Sequence, residues 1–200
     1  MPHNSEKDIN YAKTIALKYL SHAPRSVKEV ELKLGEKDIA DNISGKVIGH
    51  LISLGYLNDE IFARQWASSK IKSRLWGRNK IIHGLKQKGI SNEIINQTVM
   101  DVYQPPAEER QEDKNSITEA TELNTAKIAL WKWLKSKNHG AKTNCELRIT
   151  NYELNSAIRN RKSKIVQKAF RHLQAKGFPT SIAIAAIKEC FGKLETDEDQ

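Results

Sequence analysis

The chain of 200 residues is poor in the features that mark several common protein classes. Its two cysteines, Cys145 and Cys190, lie far apart and outside any CxxC pair, which argues against a disulfide framework or a structural zinc site. No run approaches the roughly 18–20 consecutive apolar residues that a membrane-spanning helix needs. The first residues contain no apolar segment of the kind found in secretory signals. We therefore expect a cytoplasmic protein without membrane association.

The sequence also lacks the common signatures of catalysis. Neither GxxxxGK[ST] nor GxGxxG occurs, so no phosphate-binding loop is indicated. The six histidines never fall at HxxxH or HExxH spacing, and no Gly-x-Ser-x-Gly turn is present. The carboxylates concentrate in polar segments, where burial would not tune them for acid–base chemistry. We expect neither enzymatic activity nor a cofactor or metal.

Positive charge is abundant and unevenly distributed. The net charge is +9, from 33 Lys and Arg against 24 Asp and Glu. Residues 1–59 are neutral, residues 60–100 carry +6 and residues 124–194 carry +12, whereas residues 101–123 carry −5 and the last six residues are acidic. Because so much like charge repels itself, a polyanionic partner such as nucleic acid is a better explanation than a merely soluble surface.

Apolar residues recur at three- and four-residue spacing, which predicts an all-α fold of about nine helices. Pro24 ends the first helix, and Ser26 with Glu29 forms a capping box for the second. The helices group into tandem three-helix repeats that resemble helix-turn-helix units, in an elongated or curved array. The predicted segments are a flexible start 1–9, repeats 10–57, 58–103 and 122–194, an acidic linker 104–121, a polar insertion near 136–160 and an acidic tail 195–200.

An internal repeat supports this grouping. Leu85-Lys86-Gln87-Lys88-Gly89-Ile90 matches Leu173-Gln174-Ala175-Lys176-Gly177-Phe178 at a constant offset of 88 positions. Both segments have an isoleucine four residues later, at Ile94 and Ile182. The first repeat shows a looser version of this pattern around Val30 and Lys33-Leu34. Units this small bury little surface alone, so we expect neighbouring repeats to support one another.

Two groups of basic residues are candidates for binding nucleic acid or a nucleoprotein filament. With Ile165, Ala169, Phe170 and Leu173 facing inward, a cationic stripe falls on the opposite side of the same helix. Its residues are Lys164, Lys168 and Arg171. Trp76, among lysines and arginines, is the candidate for stacking on a base. The full candidate set is Arg64, Lys70, Lys72, Arg74, Arg78, Lys80, Arg159, Arg161, Lys164, Lys168, Arg171 and Lys176, with Trp76 for stacking.

Several short motifs, taken in order, resemble those of one family. They are Arg25-Ser26, then Leu51-x-x-Leu-Gly-Tyr-Leu-Asn-Asp59-x-x-Phe62-Ala, then Gly77 and Leu85-x-x-Lys-Gly-Ile90. Their order and spacing over residues 12–100 resemble the RecX family of RecA regulators, and Lys176-Gly177-Phe178 extends the likeness to the third repeat. The long acidic segment 104–121 and the polar stretch 136–160 depart from the family pattern.

The resemblance implies a modulator of the RecA recombinase. Such proteins consist of tandem three-helix repeats, bind RecA in the groove of its filament on single-stranded DNA, and restrain filament growth, strand exchange, ATP hydrolysis and coprotease activity. The resemblance brings neither catalytic residues nor a cofactor. We expect a monomer whose partners are RecA and, by direct contact, DNA.

Two alternatives stay open at this point. The first is a transcriptional regulator that reads duplex DNA with a helix-turn-helix unit, although no helix shows a face rich in Arg, Asn and Gln. The second is a basic protein bound to RNA or to the ribosome, which charge alone does not separate from the first.

Overall fold

The computed structural model describes residues 5–103, 114–137 and 154–191, and the side chains of 6–103, 121–136 and 164–191. Nine α-helices and no strand lie in these ranges, so the predicted all-α class is confirmed for them. The helices are α1 (Ser5–His22), α2 (Val27–Gly35), α3 (Asp41–Ser53), α4 (Asp59–Arg74), α5 (Arg78–Gln87), α6 (Asn92–Val102), α7 (Lys114–Lys137), α8 (Leu154–Ala175) and α9 (Thr180–Phe191).

Local sequence signals set the helix ends. α1 ends two residues before Pro24, which has no N–H to continue a helix. The Ser26 hydroxyl accepts the N–H of Glu29 at 3.2 Å, and the Glu29 carboxylate accepts the N–H of Ser26 at 3.1 Å. This is the predicted capping box, which satisfies two N–H groups that the first turn of α2 leaves without helical partners.

Two groups of three helices have apolar cores. α1, α2 and α3 pack on one another around buried residues that include Ala16, Leu34 and Leu51. α7, α8 and α9 do the same around a set that includes Leu130 and Leu173. Burial of these side chains supplies the main stabilisation of each group, because each removes its apolar surface from water.

The chain divides into two compact units. Unit 1 consists of Met1–Ser69 and Ile82–Val102, and unit 2 consists of Lys70–Ile81 and Tyr103–Gln200. The division passes through α4 and α5, so the predicted second repeat, 58–103, contributes residues to both units. The compact units therefore do not coincide with the predicted repeats.

The turn after the second helix has the same hydrogen bonds in both segments of the predicted repeat. The N–H of Ile90 donates to the Leu85 carbonyl at 3.2 Å, and the N–H of Phe178 donates to the Leu173 carbonyl at 3.2 Å. Gly89 and Gly177 have φ of 74° and 86°, a left-handed conformation that glycine adopts without a Cβ penalty. The match at an offset of 88 positions is therefore confirmed as a structural repeat.

The first repeat contains a third copy of this turn, at a different place from the one expected. The N–H of Ile39 donates to the Leu34 carbonyl at 3.3 Å, and Asp38 has φ of 56°. The match is thus Leu34 through Ile39, not the segment around Val30 and Lys33-Leu34. Asp38 takes the place of the glycine, because aspartate tolerates the left-handed region better than most residues. The sequence therefore lacks the Lys-Gly pair that marks the other two turns.

In unit 1, the second repeat's turn contacts the start of α2. The Ser26 hydroxyl donates to the Lys88 carbonyl at 2.7 Å, and the Lys88 ammonium donates to the Glu29 carboxylate at 2.7 Å. The N–H of Val27 donates to the Asp59 carboxylate at 2.9 Å. We call this set of contacts the first joint. It holds consecutive repeats together through backbone groups that a helix start leaves without partners.

Unit 2 contains a second joint of the same design. The N–H of Gly77 donates to the Lys176 carbonyl at 2.9 Å, and the N–H of Arg78 donates to the Glu122 carboxylate at 2.7 Å. The Arg78 guanidinium also pairs with this carboxylate, which is fully buried. In both joints a carboxylate from the following repeat accepts the N–H of the first residue of the preceding repeat's second helix.

The acidic linker is shorter than predicted. α7 begins at Lys114, so residues 114–121 are helical, and residues 104–113 lie outside the described part. The difference has a physical cause: Glu122 and Thr125 are buried on α7 but polar, so apolar periodicity does not count them. Of the predicted insertion, 138–153 falls outside the described residues, as do 1–4 and the acidic tail.

Candidate nucleic-acid interface

Positive charge is concentrated in one of the two units. Over the side chains that the structure describes, unit 1 has 11 Lys and Arg against 11 Asp and Glu, whereas unit 2 has 13 against two. The two carboxylates among the described side chains of unit 2, Glu122 and Glu189, pair with Arg78 and Lys127. The described part of unit 2 is therefore strongly cationic, and its surface would attract a polyanion.

The second joint brings together basic residues that are far apart in sequence. The Lys176 ammonium donates to the Arg74 carbonyl at 2.6 Å, and the Lys80 ammonium donates to the Ala175 carbonyl at 3.0 Å. Burial lowers the pKa of Lys176, and the charges of Lys80, Arg74 and Lys132 lower it further. We call Arg74, Lys80, Lys132 and Lys176 the cation cluster. A bound anion such as a phosphate would offset the repulsion among these cations.

Trp76 lies beside the cation cluster. Its indole is half-buried, with the Lys80 ammonium 5.0 Å and the Lys70 ammonium 5.8 Å from the ring centroid. Its carbonyl accepts the buried Tyr103 hydroxyl at 2.7 Å. Burial raises the pKa of Tyr103, with a further increase from the Glu122 carboxylate, so the hydroxyl stays a donor. Two ammonium groups thus lie near the indole, and its use in base stacking stays a prediction.

The predicted stripe on α8 is exposed. Lys164, Lys168 and Arg171 are all solvent-accessible, and Ala169 and Leu173 on the opposite side are buried. Ile165 differs from the expected inward position, because 41% of it is exposed. The stripe is accessible to a partner, but exposure alone does not test whether it binds one.

Of the other predicted candidates, two pair with carboxylates, two lie outside the described side chains and one is exposed. The Arg78 guanidinium pairs with buried Glu122, so its contacts are those of a structural residue. Arg64 lies in unit 1 and pairs with Asp101 at 3.0 Å. Arg159 and Arg161 belong to α8, in the portion for which side chains are not described. Lys72 is exposed on α4.

An exposed face of α7 escaped the sequence analysis. Ile128, Trp131, Lys132 and Lys135 are all exposed and fall at i, i+3, i+4 and i+7. The indole of Trp131 is 59% exposed, with the Lys135 ammonium 5.0 Å from its centroid. At 100° per residue these four positions span an arc of about 100°. A helical projection of residues 123–136 would have separated Trp131 from Trp133 and the apolar core.

The described residues contain neither a cluster suited to a metal ion nor a helix suited to a membrane. No group of three or more His, Cys, Asp and Glu within 5–103, 114–137 and 154–191 is placed to hold a metal ion. No helix in those ranges is long and apolar enough to cross a membrane.

The fold and surface define a class of protein: an all-α chain of tandem three-helix domains with one strongly cationic unit. Family models identify these domains. The model described as "RecX, first three-helix domain" matches residues 12–51, and the model described as "RecX, second three-helix domain" matches residues 58–99. The chain belongs to the RecX family.

Curated relatives agree with this assignment. The chain is 38% identical over 93 residues to "Regulatory protein RecX" of Lactobacillus johnsonii, covering 46% of this chain and 34% of that one. It is 27% identical over 191 residues to the Lactobacillus gasseri protein of the same name, covering 96% and 57% of the two chains. The Mycolicibacterium smegmatis protein of that name is 32% identical over 100 residues, covering 50% and 52%. The chain thus spans about a third to a little over half of these relatives' lengths.

Solved structures agree on the fold. The crystal structure of RecX from Lactobacillus salivarius superposes with a TM-score of 0.65 at 24% identity, covering 92% of this chain and 97% of that one. A second crystal structure, of a regulatory protein RecX, gives a TM-score of 0.62 at 20% identity, covering 92% and 73%. At such low identity, these similarities bear on the fold alone.

Proposed function

We propose that this chain is a regulator that binds RecA and the RecA filament on single-stranded DNA, and that it inhibits RecA activities. These activities are filament growth, strand exchange, ATP hydrolysis and the coprotease function. Two observations support the proposal: membership of the RecX family and the division of charge between the units. The charge division carries the argument, because a nucleoprotein filament offers both a polyanion and a protein surface.

Unit 2 is the part that would face the DNA of the filament. Its described side chains have 13 cations against two carboxylates, both of which are paired. The exposed stripe of Lys164, Lys168 and Arg171 and the cation cluster would approach phosphates. Contacts of this kind position a protein on DNA without reading its sequence.

Unit 1 is the part that would face RecA protein. Its described side chains are balanced in charge, and it has a groove of about 600 Å³ beside the α1–α2 connection. Leu17, Tyr56 and Ile61 line this groove and are 42%, 61% and 55% exposed. Exposed apolar and aromatic side chains around a concave surface are typical of protein interfaces.

The direct test is the rate of ATP hydrolysis by RecA on single-stranded DNA, titrated with purified chain at substoichiometric amounts. Inhibition well below one chain per RecA, with only weak DNA binding when RecA is left out, is the expected result. The opposite pattern, tight binding to DNA or RNA with unchanged ATP hydrolysis, would contradict the proposal. It would favour a nucleic-acid-binding protein that acts without RecA.

A further inference from the structure

The structure assigns a stacking site for an unpaired nucleobase to the exposed face of α7, with Trp131 as the platform. The inference deepens the proposed function: it rests on that function for the choice of single-stranded DNA as the polymer. The four residues of this face are Ile128, Trp131, Lys132 and Lys135.

Trp131 has the exposure that stacking requires. Its indole is 59% exposed, although α7 packs on both α8 and α9 and buries Ala126, Ala129 and Leu130 on its other side. A tryptophan two positions on, Trp133, lies on that inner side and stacks on His172 with centroids 5.5 Å apart. The two tryptophans therefore have different roles: Trp133 packs in the core of the helix group, and Trp131 presents its ring to solvent.

The cations around Trp131 fit a polynucleotide better than another ligand. Lys135 has its ammonium 5.0 Å from the indole centroid, and Lys132 lies close enough to Lys176 to lower the pKa of that residue. Lys132 thus belongs both to this face and to the cation cluster, within a unit whose described side chains have 13 cations against two carboxylates. Charge complementarity argues for an anionic polymer, and the exposed ring argues for one with unstacked bases.

Duplex DNA would make poorer use of this face. In a duplex the bases are stacked on one another and present only their edges, so the ring of Trp131 has no base face to contact. A single strand can turn a base onto the indole while its phosphates contact Lys132 and Lys135. Stacking accepts any of the four bases, so we expect a preference for single strands with little preference for sequence.

The experiment measures binding of the full chain to a fluorescein-labelled 20-residue oligo-dT by anisotropy, without RecA, over a series of salt concentrations. Trp131→Ala should weaken binding about five- to 100-fold, and Trp131→Phe should retain most of the affinity because a ring remains. Ile184→Ala is the matched control, an apolar residue of α9 that is 43% exposed and lies outside this face, and it should change affinity less than about threefold. Lys135→Gln should lower the magnitude of the log–log salt slope by about 0.7.

Several results would overturn the inference. Unchanged affinity of Trp131→Ala for the single strand would do so, as would an equal loss on a duplex of the same length. A change of sedimentation between wild type and Trp131→Ala would show the face to be a contact between copies of the chain. Helix content by circular dichroism must match wild type, which exposure of Trp131 predicts.

The outcome is separable from that of the proposed function. If RecA ATP hydrolysis is unaffected by the wild-type chain but oligo-dT binding depends on Trp131, the stacking site stands and the proposed function fails. If hydrolysis is inhibited and Trp131→Ala binds oligo-dT as well as wild type, the proposed function stands and the stacking site fails.

Discussion

The N–H of Gly77 donates a hydrogen bond to the carbonyl of Lys176 at 2.9 Å, across 99 positions of sequence. The corresponding contact in unit 1 joins the Ser26 hydroxyl to the Lys88 carbonyl at 2.7 Å. In both, the turn of a following repeat covers the start of the second helix of the preceding one. A built Cβ on Gly77 would lie 2.6 Å from the Gly177 carbonyl oxygen, so the backbones approach as closely as glycine allows.

Replacing Gly177 should therefore disrupt the second joint. In Gly177→Ala the new Cβ would lie 2.5 Å from the Lys80 backbone nitrogen, and φ of 86° is unfavourable for alanine. We expect a loss of about 2–4 kcal/mol in the free energy of unfolding, measured by urea titration. Gly49→Ala is the control: Gly49 lies within α3 with nothing within 4 Å of a built Cβ, so a gain of about 0.5–1 kcal/mol is expected. Equal effects of the two substitutions would contradict this account.

Removing the charge of Glu122 should destabilise unit 2. Glu122→Gln keeps an acceptor for the Arg78 N–H but leaves the Arg78 guanidinium without its anionic partner, at a cost of about 3 kcal/mol. The double variant Arg78→Met/Glu122→Gln removes both charges and should recover most of this loss. Glu36→Gln breaks the exposed pair with Lys33 and should leave the melting temperature nearly unchanged, because water screens that pair. Thermal unfolding of the four proteins measures these differences.

The first joint should weaken in acid. Burial alone would raise the pKa of Glu29, but hydrogen bonds from Lys88 and the Ser26 N–H, with the charges of Lys88 and Arg25, hold that pKa below its ordinary value of 4.5. A carboxylate with a lowered folded pKa stabilises the protein above its unfolded pKa, and this stabilisation is lost as the pH falls through the folded value. Near neutral pH, Glu29→Gln should therefore be less stable than wild type, and the difference should shrink below about pH 4.5.

Asp59 in the same joint opposes this trend, because burial raises its pKa and the Glu29 charge adds to the increase. Burial of Asp59 is the same in wild type and Glu29→Gln, and repulsion between the two carboxylates makes the stability difference at neutral pH smaller. Lys88→Gln removes the main partner and should show a loss in the same pH range. A stability difference between wild type and Glu29→Gln that stays constant from pH 7 to pH 3 would be the contrary result.

Reversing the α8 stripe should weaken inhibition of RecA. In Lys164→Glu/Lys168→Glu/Arg171→Glu, three exposed cations become anions, so inhibition of RecA ATP hydrolysis should fall and its salt dependence should flatten. Lys7→Glu/Lys37→Glu/Lys46→Glu makes the same charge change at exposed positions of unit 1. This control should inhibit nearly as well as wild type. If both variants lose inhibition equally, net charge and not the stripe is responsible.

The groove of unit 1 should matter for binding RecA but little for folding. Tyr56→Ala truncates a side chain that is 61% exposed, so we expect stability within about 0.5 kcal/mol of wild type. At an interface, loss of such an aromatic residue commonly costs 2 kcal/mol or more, or roughly a 30-fold loss of affinity. The measurement is the concentration of chain for half-inhibition of ATP hydrolysis. Leu32→Ala, 57% exposed and outside the groove, is the control and should leave that concentration unchanged.

Many residues of the candidate surface could be predicted from the sequence, but the residues that they contact could not. The α8 stripe follows from helical phase, and the structure places all three residues in solvent. Charge alone indicates Arg78 as a binding residue, yet its partner Glu122 is 44 positions away, directly after the predicted acidic linker. The cation cluster joins residues from α4, α5, α7 and the turn after α8, a grouping that no local pattern contains.

The helices, their caps and the repeated turn follow from local sequence, because they depend on interactions within a few residues: apolar spacing, the capping box at Ser26 and the left-handed glycines. Only packing of the helices settles how the units divide the chain and which described basic residues pair with Glu29, Asp101, Glu122 and Glu189. It also turned Trp131 outward while Trp133 packs inward. Such outcomes depend on contacts between residues some 40 to 100 positions apart, whose geometry exists only once the helices have packed.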